Sequence, residues 1–342
     1  MKQEIFHYDK EFKLESGETL QDLTIAFKTY GQLSADRSNV IWVCHHLTAN
    51  AEVDVWWPGM VGKGYSLDPE KHFIVCANIL GSCYGTTGPI SINPKTGEPY
   101  YYDFPFFTIR DIVNAHILLR KHLEIDKIQF CIGGSCGGNQ VLEFTLLDPG
   151  VIQNCILLAS NARESAWSIA VHTTQRLALE ADGSWGERSE DAGKNGLKAA
   201  RGVGTLTYRS IETFINRQTD QDLNKVNGFK ASSYIEHQGK KLVDRFNAHS
   251  YWHLSKALDT HNIGRNRGSV ESLLQQINIP FLIIGISSDM LIPASEQQYL
   301  ADYLPDARLE IIDSSFGHDG FMVEIEKISF LVRGFVEEKT TT

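Results

Sequence analysis

The segment Phe130-Cys131-Ile132-Gly133-Gly134-Ser135-Cys136-Gly137-Gly138 admits few folds. An apolar run meets a serine set among glycines, the pattern of a buried strand turning sharply into a helix. Side chains at positions 133 and 137 would crowd so tight a turn, and glycine at both removes the obstruction, while the serine itself sits under strain. The Ser135 hydroxyl then stands above the sheet. The Cys136 amide and the N-terminus of the following helix face the place where an acyl oxyanion forms. Glycine-rich turns after strands also cradle phosphates. This one has no P-loop lysine, and its glycines do not fit the G-x-G-x-x-G dinucleotide pattern.

Two further segments near the far end of the chain raise the odds of acyl chemistry. Residues 279–285 and 308–313 read as buried strands; the first is followed by Ser287-Ser288-Asp289 and the second by Gly317-His318-Asp319-Gly320. The chain order Ser135, Asp289, His318 is that of an α/β-hydrolase sheet, and differs from the orders of chymotrypsin-like and subtilisin-like enzymes. In this reading Asp289 holds the imidazole in one tautomer and His318 takes the proton from Ser135. Taken singly, Asp289 serves equally as a cap for a helix beginning near Pro293, and His318 is one of 12 histidines able to satisfy a local hydrogen bond. Their joint placement favours a triad. After the strand at 40–43, Cys44-His45-His46-Leu47-Thr48 puts the Leu47 amide opposite Cys136 as a second oxyanion donor.

Periodicity gives further strands at 20–27, 72–77, 127–132 and 155–159, with helices at 109–123 and 139–147. Met1-Lys2-Gln3-Glu4-Ile5-Phe6 reads as the approach to an edge strand. Repeated strand-then-helix order predicts a mostly parallel sheet covered on both faces. Residues 165–272 carry helical patterns, at 167–179 and 254–258, and no convincing buried strand. They read as an inserted helical lid, so that 1–164 and 273–342 form the two parts of the core. Arg201, on a helix expected at 197–206, can point to solvent or into the cleft; a surface arginine is the ordinary expectation and composition gives no reason to choose otherwise, and the same holds for Tyr208 and Arg209. Glycine and proline turns between Asn78 and Pro94 make a rigid rim.

At 342 residues and 42% hydrophobic content the chain can bury a large core. A formal charge of −10 with no basic block speaks against a nucleic-acid partner and disfavours anionic membranes. No N-terminal signal-like segment and no apolar run long enough to cross a bilayer is evident. The six cysteines, at 44, 76, 83, 131, 136 and 155, form no short two-cysteine repeat. They fit reduced, buried thiols in a cytoplasmic protein, with neither a disulfide framework nor a metal site.

The chain resembles the homoserine O-acyltransferases, especially the homoserine O-acetyltransferase family. The likeness runs along nearly the whole length, through Leu47-Thr48, Trp56-Trp57-Pro58-Gly59-Met60, the Gly81 to Pro89 run, Asp103-Phe104-Pro105 and Thr108-Ile109-Arg110-Asp111. It continues through Gly133 to Gly138, Tyr208-Arg209-Ser210, Asp244-Arg245-Phe246, Arg267-Gly268-Ser269 and Gly317-His318-Asp319. The resemblance implies transfer of an acetyl group from acetyl-CoA, a co-substrate and not a resident cofactor, to the hydroxyl of L-homoserine for methionine synthesis. It implies Ser135 as nucleophile, Asp289 and His318 as its partners, and the Leu47 and Cys136 amides as oxyanion donors. It also implies Arg201 on the amino-acid carboxylate, Asp319 on the ammonium group, and a homodimer joined through the lid. The chain departs from the family pattern at His46, Ala49, Cys136 and Asn139. A succinyl-CoA-dependent sibling, a serine ester or thioester hydrolase, and a scaffold without catalysis are the rival readings.

Overall fold

Period-two alternation along the strands sorts the apolar side chains into two layers. In the computed structural model, which describes residues 3–341, eight strands form the main sheet. They are β1 (Glu4–Tyr8), β2 (Leu23–Tyr30), β3 (Val40–Cys44), β4 (Phe73–Ala77), β5 (Phe130–Gly134), β6 (Cys155–Leu158), β7 (Phe281–Ile286) and β8 (Ala307–Ile312). Their order is β1-β2-β4-β3-β5-β6-β7-β8. β2 runs antiparallel to both neighbours, and all pairings from β4 to β8 are parallel. Met1 and Lys2, part of the predicted approach to the edge strand, lie outside the described residues.

On one face Trp42 and Cys44 of β3 and Cys131 of β5 pack with helices α1 (Ile109–His122) and α2 (Cys136–Leu147). On the other, Ile41, Val43 and Ile132 meet the C-terminal helix (Ile325–Thr341) through Ile328, Val332 and Phe335. Strands buried on both faces lack the polar alternation of a solvated sheet, which is why β3 and β5 read as unbroken apolar runs. α1 starts where Thr108 and Asp111 exchange hydrogen bonds as a capping box.

Several boundaries differ from expectation. The predicted strand at 20–27 is interrupted at Asp22, whose φ of 53° breaks the extended chain, so Leu20 pairs separately with Phe12 and β2 begins at Leu23. The strand expected at 127–132 runs through the glycine pair to Gly134, and α2 begins at Cys136 rather than 139, because glycines that weaken both propensities are required there by packing.

Between β6 and β7 lie α3 (Ala166–Glu180), α4 (Lys194–Tyr208), α5 (Ile211–Gln218), α6 (Lys230–Val243), α7 (Ala248–Leu258) and α8 (Val270–Leu274). The insertion leaves and returns through a narrow neck. Arg163 bridges Asn262, the Glu164 amide donates to His261 O at 2.9 Å, and the Ile263 amide donates to Ala162 O at 3.1 Å. Buried Arg110 of α1 donates to the carbonyls of Asn262 and Arg265 at 3.2 and 2.7 Å, its charge matched by Glu143 and Glu15, each at 3.1 Å. Past the neck, α8 packs Val270 and Leu274 into the core layer, and position 272 falls inside it.

Candidate active site

At the β5–α2 turn Ser135 adopts φ 55° and ψ −127°, a conformation costing of order 1–3 kcal/mol for a residue with a side chain. Two backbone bonds hold it there: the Ser135 amide donates to Leu158 O and the Gly138 amide to Ser135 O, both at 2.8 Å. A Cβ at Gly137 would lie 2.1 Å from the Cys44 carbonyl oxygen, and one at Gly133 would lie 2.3 Å from Gly137. The turn therefore seats directly against the end of β3.

The loop after β8 brings His318 to this serine. Its Nε2 is 2.8 Å from Ser135 Oγ, and its Nδ1 is 2.7 Å from Asp289 Oδ2. A carboxylate only accepts, so Nδ1 carries the hydrogen and Nε2 is left to accept the serine proton. Asp289 also caps, but not α9 (Ala294–Tyr303): its other oxygen accepts the amides of Leu291 and Ile292 at 2.8 and 2.9 Å. Burial opposes a charge on His318, yet the Asp289 carboxylate and its hydrogen bond outweigh it and raise the imidazole above its ordinary 6.5.

Cys136 is the first residue of α2, so its amide is one of the donors that the helix itself cannot satisfy. Its thiol is buried and pushed up to about 12 by that burial, which makes it packing material and not a rival nucleophile. Across the cleft, His45 sets the peptide plane before Leu47. The Ile79 amide donates to His45 Nε2 at 3.2 Å, so Nδ1 bears the hydrogen and donates to His46 O at 2.8 Å. A planar trans peptide with that carbonyl fixed points the Leu47 N–H to the opposite side. Burial pulls His45 down to about 4, keeping it the neutral ring that these bonds require.

Ser135, His318, Leu47 and Asp319 from the core and Arg201 and Tyr208 from the lid line one cavity of about 450 Å³. Arg201 lies over the Tyr208 ring at 5.5 Å and, among the described residues, has no carboxylate partner. Asp319 is braced by Arg209 at 3.0 Å. The residue pattern favours a surface position for Arg201, Tyr208 and Arg209; instead Arg201 and Tyr208 line the cavity and Arg209 pairs with Asp319, because amphipathic spacing does not tell a half-buried side chain over solvent from one over a cleft. The Tyr208-Arg209-Ser210 motif was the available signal: Ser210 caps α5 and donates to Ser315 O, tying the motif to the loop that carries His318.

The departures from the family pattern also find places. His46 packs edge-on against Trp56 and Phe321, with ring centroids at 5.1 and 5.9 Å. Asn139 accepts from Ser160 Oγ at 2.7 Å beneath the serine turn, and Ala49 is buried. All six cysteines are unpaired thiols. Among the described residues no group of three or more His, Cys, Asp or Glu side chains is placed to hold a metal ion, and no helix is long and apolar enough to cross a membrane.

Residues 39–325 match the alpha/beta hydrolase fold model, which places the chain in the class that its strand order and serine turn define. Within that class it belongs to the homoserine O-acetyltransferase family. It is 46% identical over 338 residues to the homoserine O-acetyltransferase of Cyclobacterium marinum, covering 99% of this chain and 96% of that protein. The homoserine O-acetyltransferase of Bacillus anthracis has a similar structure, with a TM-score of 0.90 at 26% identity over 98% of this chain and 97% of that one. Esterase E22 shares the fold, with a TM-score of 0.89 at 23% identity, and the two chains are covered to 98% and 99%.

Proposed function

We propose that this protein transfers an acetyl group from acetyl-CoA to the side-chain hydroxyl of L-homoserine, giving O-acetyl-L-homoserine for methionine biosynthesis. The observation that carries the reading is a single cavity lined by Ser135, His318, Arg201 and Asp319, with His318 hydrogen-bonded to Ser135 and, behind it, to buried Asp289.

In the first half-reaction His318 Nε2 takes the Ser135 proton as Oγ attacks the thioester carbonyl. The Leu47 and Cys136 amides receive the oxyanion, each such donor being worth ~3 kcal/mol in the transition state. Collapse expels CoA as its thiol, protonated by His318, and leaves the Ser135 acetyl ester. In the second, His318 removes the homoserine hydroxyl proton as that oxygen attacks the ester, then returns the proton to Ser135. Arg201 receives the amino-acid carboxylate and Asp319 the ammonium group, while Arg209 keeps Asp319 oriented. A zwitterion held at both ends brings its hydroxyl to the ester at high effective concentration, and a lid over the cavity limits water.

The division into core, residues 1–164 and 273–342, and lid, residues 165–272, is part of this reading. Apolar side chains exposed on the lid, including Ile211, Ile215, Leu223 and Val226, support a homodimer formed there. Six unpaired thiols and a CoA-dependent reaction support a cytoplasmic location.

Purified protein given acetyl-CoA and L-homoserine is expected to release CoA in amounts matched by O-acetylhomoserine, and to release little when homoserine is withheld. Equal release without homoserine assigns a thioester hydrolase. Faster turnover with succinyl-CoA assigns the succinyl-transferring sibling. Ser135→Ala is expected to abolish covalent acyl capture.

A further inference from the structure

Gln140 lies one helical turn beyond Cys136 on α2 and is fully buried. A carboxamide taken from water without partners is costly, so its bonds are informative. Its Nε2 is 3.1 Å from the carbonyl oxygen of His45 and 3.1 Å from that of Cys136. Two amide hydrogens serve two carbonyls, and the nitrogen also lies 3.4 Å from Cys136 Sγ. Its Oε1 is 3.1 Å from Nε2 of His116, a buried residue on α1. Oε1 only accepts, so His116 Nε2 carries the hydrogen, and this bond fixes which end of the carboxamide faces the two carbonyls.

Those carbonyls belong to the two chain segments that bear the oxyanion amides. One is Cys136 itself; the other is His45, whose ring sets the peptide plane of Leu47. No covalent link joins the segments locally, since β3 and α2 are far apart in the chain. Gly137 against the Cys44 carbonyl sets how closely they approach. The β3–β5 ladder joins them as far as Cys44 and Gly133, and Gln140 bonds both just beyond its end.

We propose that Gln140, latched by His116, is a positioning residue that fixes the spacing of the Leu47 and Cys136 amides and so tunes transition-state stabilisation in acyl transfer. The inference rests on the Ser135 acyl-enzyme reading given above. It assigns Gln140 no contact with substrate. Removing it therefore loosens the pair of donors without removing either, and a displacement of about 1 Å at such a site costs about 100-fold in rate.

The test compares wild type, Gln140→Met, which keeps length and loses both donors, and His116→Phe, which keeps the donors and loses their latch. Three quantities are measured in proteins checked for folding by thermal melting. These are the single-turnover rate of Ser135 acetylation by acetyl-CoA, the KM for homoserine, and the inhibition constant of a trifluoromethyl ketone analogue of acetyl-CoA that forms a tetrahedral adduct. Gln140→Met is expected to slow acetylation by about 10- to 100-fold, with inhibitor affinity falling in proportion and homoserine KM moving less than about twofold. His116→Phe is expected to show a smaller loss in the same two quantities. Wild-type acetylation and inhibitor binding in folded Gln140→Met would overturn the proposal, as would a loss confined to KM. If Gln140→Met does not fold, His116→Phe decides by the same criteria. Acyl capture persisting in Ser135→Ala would instead remove the underlying nucleophile assignment, whatever the Gln140 variants do.

Discussion

The two oxygens of Asp289 do different work: one orients His318, and the other is pinned by the amides of Leu291 and Ile292. A carboxylate fixed at both oxygens cannot swing away when the imidazole becomes charged, so the orientation of His318 survives both half-reactions. Arg201 has the opposite character, a guanidinium left without an ion partner among the described residues and stacked over Tyr208 beside the reacting serine. Replacing it by Met is expected to leave acetylation of Ser135 intact while raising KM for homoserine by about 10- to 100-fold, the loss of a charge-assisted contact of roughly 1.5–3 kcal/mol. Steady-state KM for homoserine, set beside the single-turnover acetylation rate, checks this; equal losses in both would place Arg201 elsewhere in the reaction. The hydrogen-bonded set of Ser135, Asp289 and His318 was legible in the sequence because each follows a strand recognisable by its apolar run. Arg201 was not legible from its helix, since amphipathic spacing tells which side chains are buried but not which half-buried one meets a cavity. Only the family likeness suggested the role proposed for it.

At the scale of elements, the β5–α2 turn and the end of β3 form one packed unit. The 2.1 Å separation of a Cβ at Gly137 from the Cys44 carbonyl leaves no room for a methyl group, because the obstructing atom is backbone and not a flexible side chain. Gly137→Ala is thus expected to destabilise the protein by about 3 kcal/mol or more, through strain and lost packing under the serine. Thermal melting of the variant beside Gly17→Ser, a positive-φ glycine with open space around it, separates this steric effect from the general cost of replacing a glycine. A small and equal drop in both would contradict it. The same glycines explain why element boundaries were misread here. Residues 133–138 have poor strand and helix propensity, yet the strand runs to Gly134 and the helix starts at Cys136 because packing demands small residues there.

For the whole molecule, the core stores several neutral imidazoles. Burial pulls His45, His116 and His261 to about 4 and His253 to about 3. As pH falls below about 6.5 the unfolded chain takes up protons that the native state refuses, so stability drops, each such histidine adding ~1.4 kcal/mol per pH unit. His318 acts with the opposite sign. Its raised value gives stability that is fully present below its ordinary 6.5 and lost as pH rises through the folded-state value, where the neutral base needed for attack on the thioester is gained. Melting temperature is therefore expected to fall steeply on acidification below about pH 6 and only gently on the alkaline side, while acetylation rate rises with pH through the His318 titration. Calorimetry across that range checks it, and a melting temperature flat down to about pH 4.5 would contradict it.

The neck at residues 161–164 and 261–263 has a consequence for how such an enzyme changes over time. Ser135, His318 and Asp289 are carried by the sheet and its loops, whereas Arg201, Tyr208 and the Arg209 brace on Asp319 belong to an insertion whose backbone leaves and returns there. That insertion touches the core elsewhere through side chains, among them Ser210 on Ser315 O and Arg245 on Thr48. Substitutions on the cavity face of those helices, away from the side chains that tie them to the core, can alter which nucleophile finishes the reaction, an amino alcohol or water, while the backbone turn that holds Ser135 keeps its geometry.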